Sequence, residues 1–422
     1  MDLSCSREEL FAAMERASIV VMTPFGRSGS VALHGSFDNH EEVATLPTYA
    51  NVYDFYADAH DSFSPEEYWD CFEKNTPGLF DLEEGLLHPV FVAPLQQAVR
   101  NIDREQFRST FLALCEICGD CGRKEYFLLL HVVVFLLRGR LIEQLKCIVI
   151  HMHYFHVIVH TRSGERLSTE QKQHVTLFRD FPRAVFLVCL RDPVYSAGRI
   201  IILHKRPEYS NSSLMQSRRL SFEGELTHWE SVCSVVRTHS LCLQEAWQAA
   251  SCVYVRRLEE VHRDPAGSTR HLCSFLGIRY DPDFLLKTTF SGNSFESCSG
   301  TKRRAHYGPE VLTDMQWKYL TEWQRALIRL YFRGFLVAFY PEEVKSFFVE
   351  IAAALRGVLR DAFQKRSPQQ EEGKEPGILQ EVCPRCWRDV LYLLKIGWTY
   401  FGMRKLRSLD RSRAVFFKAS NG

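Results

Sequence analysis

Four short apolar runs stand out along the chain: Ser18 to Thr23, Lys146 to His151, Ala184 to Leu190 and Cys252 to Arg256. Each is rich in β-branched or aromatic residues and too short for a buried helix, so each is predicted to be a buried strand. Between them the apolar positions recur at helical spacing. Strands that read as continuous apolar runs, alternating with helices, predict an α/β fold with a parallel central sheet flanked by helices. Residues 49–123 are mostly helical in pattern and acidic, and are expected to form an insertion or cap over the sheet edge. The longest apolar stretches, Tyr126 to Leu137 and Cys147 to Val159, are interrupted by histidine. They fall short of the roughly 18 apolar residues of a membrane span, and read as a core helix or buried strand. Lys365 to Gln380 is polar and rich in Pro, Gly and Glu, as linkers are. The predicted organisation is therefore a body over residues 1–365, a linker over 366–380 and a tail over 381–422, without internal repeats.

Composition adds limits. The chain has 422 residues, 46% hydrophobic and 24% charged, enough apolar surface for a sizeable core. A formal net charge of +1 argues against a broad polyanion-binding surface, so no nucleic-acid partner is expected. The charge is unevenly spread. Residues 1–100 carry 17 Asp+Glu against 5 Lys+Arg, and residues 387–422 carry 8 Lys+Arg against 2 Asp+Glu. The acidic first turns, with Glu8, Glu9 and Glu15, do not read as a secretory signal. Most of the 14 cysteines sit singly in apolar runs, which points to a reducing, cytoplasmic setting. Two clusters differ: Cys115, Cys118 and Cys121 at three-residue spacing, and Cys383 with Cys386. Zinc or a redox disulfide competes there with plain buried thiols, the favoured reading. The basic, aromatic-rich stretch from Trp387 to Leu409 reads as a C-terminal helix packed on the body, or as an interfacial helix making peripheral membrane contact.

Two places carry candidate chemistry. The first strand runs into Pro24-Phe25-Gly26-Arg27-Ser28-Gly29-Ser30 and then Val31. A strand, a Gly-containing turn and a helix start present backbone N–H groups to an anion, although the same residues also make an ordinary helix cap. The Walker pattern is not met, because no Lys precedes Ser30. The second place is Arg191-Asp192-Pro193 after the third run, where Asp192 suits an N-cap and Pro193 a first helical position. In open α/β sheets ligands bind beyond the carboxyl ends of strands, where both elements are expected.

These residues resemble sulfotransferases that use 3′-phosphoadenosine 5′-phosphosulfate (PAPS). Arg27-Ser28-Gly29-Ser30 is similar to their 5′-phosphosulfate loop, and Phe181 to Pro193 to their 3′-phosphate strand, loop and helix. Val253 to Pro265 followed by Phe275-Leu276-Gly277 looks like a third family segment, and Thr289-Phe290-Ser291-Gly292 resembles an element of carbohydrate-type members. The resemblance covers residues 18–310 in the family's order, and implies a P-loop-like sulfotransferase fold. It departs at the position eight residues after Arg191, where many members have Ser and this chain has Arg199; the nearest serine is Ser196.

The resemblance implies sulfuryl transfer from PAPS to a hydroxyl or amine of a glycan, glycolipid or small hydroxylated molecule, with no metal. Arg27, Ser28, Gly29, Ser30 and Val31 would hold the 5′-phosphosulfate. Arg191, with Ser196 or Arg199 and with Arg303 or Arg304, would hold the 3′-phosphate. The general base would be His151 or His153, which alternate at the end of a strand and so face one side. Glu83 and Glu84, before His88, are the reserve. The competing readings are an atypical P-loop kinase and a non-catalytic nucleotide-binding descendant of the fold. Asp264-Pro265 and Gly277 read as structural turn and cap residues.

Overall fold

The computed structural model describes residues 5–24, 28–38, 40–46, 56, 59–76, 79–80, 102–152, 160–161, 164–165, 176–196, 250–282, 289–290, 293–294, 320, 322–346, 348–353, 356 and 414–416. The chain divides into two compact units. The first takes in Met1–Leu190, Leu241–Thr313 and Arg411–Gly422, and the second Arg191–Ser240 and Asp314–Asp410.

The first unit is built on a six-stranded sheet. Its strands are β1 (Ser18–Pro24), β2 (Val43–Thr45), β3 (Cys147–His151), β4 (Val185–Leu190), β5 (Cys252–Arg257) and β6 (Ala414–Phe416). The order across the sheet is β6-β5-β4-β1-β3-β2, and every neighbouring pair is parallel. All four predicted strands are present, each within one or two residues of its expected ends. β2 and β6, three residues each, were not foreseen; β6 comes from the tail and covers the outer edge of β5. The described helices are α1 (Arg7–Arg16), α2 (Ser30–Asp38), α3 (Pro65–Asn75), α4 (Arg104–Cys118), α5 (Arg123–Leu137), α6 (Leu258–Arg263) and α7 (Pro265–Leu276).

Local signals explain where these helices start and stop. Ser6 and Glu9 form a reciprocal capping box on α1, and Ser64 and Glu67 form another on α3. Asp103 caps α4 by accepting from the Gln106 N–H at 2.7 Å. Asp264 caps α7 by accepting from the Gly267 N–H at 2.8 Å, with Pro265 in the first turn. Gly277 ends α7 at φ +71°, a left-handed value that favours glycine. Both residues are structural, as the sequence predicts. The apolar run from Tyr126 resolves as the helix α5, and α3 and α4 are the helices expected within residues 49–123.

One face of the sheet presents Val20, Met22, Val43, Cys147, Val149, Leu187, Cys189 and Tyr254, packed against Leu33 and Phe37 of α2 and Leu272, Cys273 and Leu276 of α7. On the other face Phe186 meets Phe178, ring centroids 5.5 Å apart. Buried on both faces, the strands explain why their sequences read as apolar runs without alternation. In the second unit, α8 (Glu322–Tyr331) is followed by α9 (Arg333–Phe339), with Phe332 and Phe335 buried. No helix among the described residues is long and apolar enough to cross a membrane.

Candidate active site

From β1 the chain passes to β2 on one side of the sheet, and β4 and β5 lie on the other. The order therefore reverses between β1 and β4, where open α/β sheets place their ligands beyond the carboxyl ends. The register fixes what lies there. Met22 sits beside His151 of β3, Pro24 beside Cys189 of β4, and Cys189 and Leu190 beside Arg256 and Arg257 of β5.

Beyond β1, Ser28-Gly29-Ser30 turns into α2. The Gly29 carbonyl accepts from the Leu33 N–H at 3.1 Å, which makes Gly29 the N-cap. The N–H groups of Ser30, Val31 and Ala32 then have no acceptor within the helix, and the positive end of the helix dipole lies at the turn. Glycine at position 29 is favoured by its backbone conformation. Its φ is +78°, and a Cβ there would stand 2.7 Å from Leu258 Cδ1, at the start of α6. The β5–α6 junction thus closes directly on the turn.

Among the described residues two hydroxyls bracket this turn without hydrogen-bond partners: Thr23 Oγ1, on a residue 1% exposed, and Ser28 Oγ, on a residue 2% exposed. A buried unsatisfied polar group costs about 1–3 kcal/mol. Ser30, the first helical residue, is also buried. Unfilled helix N–H groups, an absent Cβ and unpartnered hydroxyls together fit a bound oxyanion.

His151 ends β3, on the sheet face covered by α2. It is buried, and its ring stands 4.7 Å from that of His34, nearly edge to face at 63°. His34 is fixed by a 2.7 Å hydrogen bond between Nε2 and Thr45 Oγ1 of β2. Burial, reinforced by the Arg138 charge, lowers its pKa to about 3, so it stays neutral. Sequence reasoning missed Thr23, His34 and Leu258, because only strand register reveals that they share this corner. Arg256 was missed too. It is buried beside Cys189, whose thiol is pushed up to about 11 by burial against the opposing Arg256 charge.

Of the predicted residues, the structure brings Ser28, Gly29, Ser30 and Val31 together at the start of α2. Arg191 follows the last residue of β4 and opens the second unit. Asp192 caps the turn 193–196 as expected: Oδ1 accepts from the Val194 N–H at 2.6 Å, and the carbonyl accepts from the Ser196 N–H at 3.0 Å. Ser196 is fully buried. Arg27, Glu83, Glu84, His88, His153, Arg199, Arg303, Arg304, Cys383 and Cys386 lie outside the described residues, as does the stretch from Trp387 to Leu409.

The profile of the sulfotransferase family matches residues 20–282, from within β1 to just beyond α7. The chain belongs to the sulfotransferase family. Among solved structures, the sulfotransferase domain from the curacin biosynthetic pathway is 13% identical, covering 71% of this chain and 87% of that one at a TM-score of 0.29. No curated protein sequence matches. In this sulfotransferase the matched span holds β2 to β5 complete, all but the first two residues of β1, and the whole turn from Ser28 to Val31.

Proposed function

We propose that this sulfotransferase moves a sulfuryl group from PAPS to an acceptor hydroxyl, carried by a carbohydrate or glycolipid. The observation that carries the reading is the turn at Gly29, with its open helix N–H groups and the unpartnered Ser28 hydroxyl. Those groups suit the 5′-phosphosulfate end of the donor. Ser28 and Ser30 donate hydrogen bonds to its oxygens, the N–H groups of Ser30 and Val31 add two more, and Arg27 supplies charge. Arg191 takes the 3′-phosphate, on the family likeness of residues 181–193, with Ser196 or Arg199 and Arg303 or Arg304 joining it.

The transfer is an in-line displacement, so positioning and charge stabilisation carry most of the catalysis. A histidine at the end of β3 accepts the acceptor hydroxyl proton as the new S–O bond forms. The S–O bond to the 5′-phosphate breaks, and 3′-phosphoadenosine 5′-phosphate departs with the electron pair. His151, on the strand next to β1, is the candidate within the described residues; His153 is the other. A neutral imidazole has a free ring nitrogen lone pair that can accept a proton. The likeness of Thr289-Phe290-Ser291-Gly292 to an element of carbohydrate-type members supports the carbohydrate class, and cysteines placed singly in apolar runs support a cytoplasmic location.

The deciding experiment is calorimetric titration with 3′-phosphoadenosine 5′-phosphate and, separately, ATP with Mg²⁺. Binding of the first alone is expected. A preference for ATP with Mg²⁺ overturns the reading in favour of a kinase. Sulfate incorporation from PAPS into a panel of glycans, glycolipids and small alcohols then tests the acceptor class.

A further inference from the structure

α2 brings more to the site than its open N-terminus. Ser30 and His34 lie one turn apart on one face of the helix, and both are buried. His34 meets the sheet at the ends of β2 and β3. Its Nε2 shares a 2.7 Å hydrogen bond with Oγ1 of Thr45, the buried last residue of β2. Thr45 pairs with Val149, two residues before His151 on β3. Residues paired across parallel strands share a face of the sheet, and so do residues two apart along one strand. Thr45 and His151 therefore stand on the same face, the one that α2 covers. His34 touches both, for its ring centroid is also 4.7 Å from that of His151, at 63°.

Each contact limits the next. Tethered at Nε2, the His34 ring cannot rotate without breaking its bond to Thr45. Held in this way it lies nearly edge to face with His151, an arrangement that aromatic rings prefer, and it occupies the space into which the His151 ring would otherwise swing. Burial, with the Arg138 charge, lowers the pKa of His34 to about 3. It therefore neither takes the proton meant for His151 nor repels the imidazolium formed there. A general base acts only with its nitrogen within hydrogen-bond reach of the proton. Misplacement by about 1 Å can cost roughly 100-fold in rate.

We propose that His34, anchored by Thr45, is a positioning residue that holds the His151 ring in the orientation in which it receives the acceptor's proton. Both His34 and Thr45 act through His151 and not on the substrates. The inference rests on the reading of His151 as the general base.

The test uses the full-length protein. Thr45→Val removes the anchoring hydroxyl and keeps the branched shape, whereas Thr45→Ser keeps the hydroxyl. His34→Leu removes the ring, and His151→Ala the base. Sulfuryl transfer from PAPS is followed, below the melting temperature of each variant, with the acceptor that the wild-type protein sulfates fastest among glycans, glycolipids and small alcohols. Thr45→Val and His34→Leu should each lower kcat roughly 10- to 100-fold, with KM for PAPS and affinity for 3′-phosphoadenosine 5′-phosphate unchanged. Thr45→Ser should keep most of the rate. The double variant should lose no more than His34→Leu alone, because the threonine acts through the histidine. If His34→Leu fails to fold, Thr45→Val against Thr45→Ser carries the comparison. A second readout needs no turnover. The imidazole NMR signals of His151, identified by their loss in His151→Ala, should move in Thr45→Val and stay in place in Thr45→Ser. With His151→Ala inactive, three results overturn this inference and leave the base reading standing: wild-type kcat in Thr45→Val, nucleotide affinity that falls together with kcat, or His151 signals indifferent to Thr45. Full activity in His151→Ala, or no transfer by the wild-type protein, overturns the base reading and this inference with it.

Discussion

At the turn between β1 and α2, stability and ligand affinity pull apart in single side chains. The Ser28 hydroxyl is buried without a partner, so folding strips its water and returns nothing. Ser28→Ala should leave the unfolding midpoint unchanged or raise it, while weakening 3′-phosphoadenosine 5′-phosphate. A hydrogen bond to a charged group is worth about 1.5–3 kcal/mol, so affinity should fall roughly 10- to 100-fold. Thermal melts and calorimetric titration on one preparation decide it; lower stability with unchanged affinity would make Ser28 structural only. Gly29 gives the complementary case. An L-residue at φ +78° costs about 1–2 kcal/mol, and Leu258 blocks the Cβ as well. Gly29→Ala should therefore lose both stability and nucleotide binding. Adding Leu258→Ala should recover the steric part and leave the backbone part. Full recovery in the double variant would show that the conformation itself does not matter.

At the scale of elements, α2 and α5 each bring a buried, neutral histidine into the interior. His34 on α2 is lowered to about 3 and His131 on α5 to about 4, both chiefly by burial. The unfolded chain takes up protons near pH 6.5, and the folded chain holds both rings neutral. Their contribution is thus complete above pH 6.5 and is lost as pH falls from there towards 4. Each group costs about 1.4 kcal/mol per pH unit across that window, or roughly 2 kcal/mol at pH 5. Urea midpoints should drop steeply between pH 7 and 5, and His131→Leu should flatten the slope. A parallel slope in that variant would remove His131 from the account. The same elements show how much could be read beforehand. β1, β3, β4 and β5 were legible because burial on both faces leaves an unmistakable apolar run. The turn was legible as glycine and serine after such a run. β2 was not, since Val43–Thr45 is too short to show any period. His34 was missed for another reason: it looks like any helix residue until register brings β2 and β3 beneath α2.

The first unit is assembled at the scale of the molecule from three separated stretches, the last of them Arg411–Gly422. The family match ends at residue 282, yet Ala414–Phe416 supplies the sheet's outer strand. The expected basic helix stops at Leu409, and beyond it three residues of Ala, Val and Phe carry no strand signal by themselves. Removing them has a definite consequence. The backbone of Val253 to Val255 in β5 would lose its partner and face solvent as a parallel, apolar edge. Such edges recruit other chains. Deleting residues 411–422 should lower the melting temperature and raise light scattering on heating, without touching the residues at the β1–α2 turn. Nucleotide affinity measured below the melt should accordingly stay close to the full-length value. If instead affinity collapses while the melt and scattering are unchanged, the strand acts on the site and not on the edge. The assignment of β6 as an edge cover would then have to be given up.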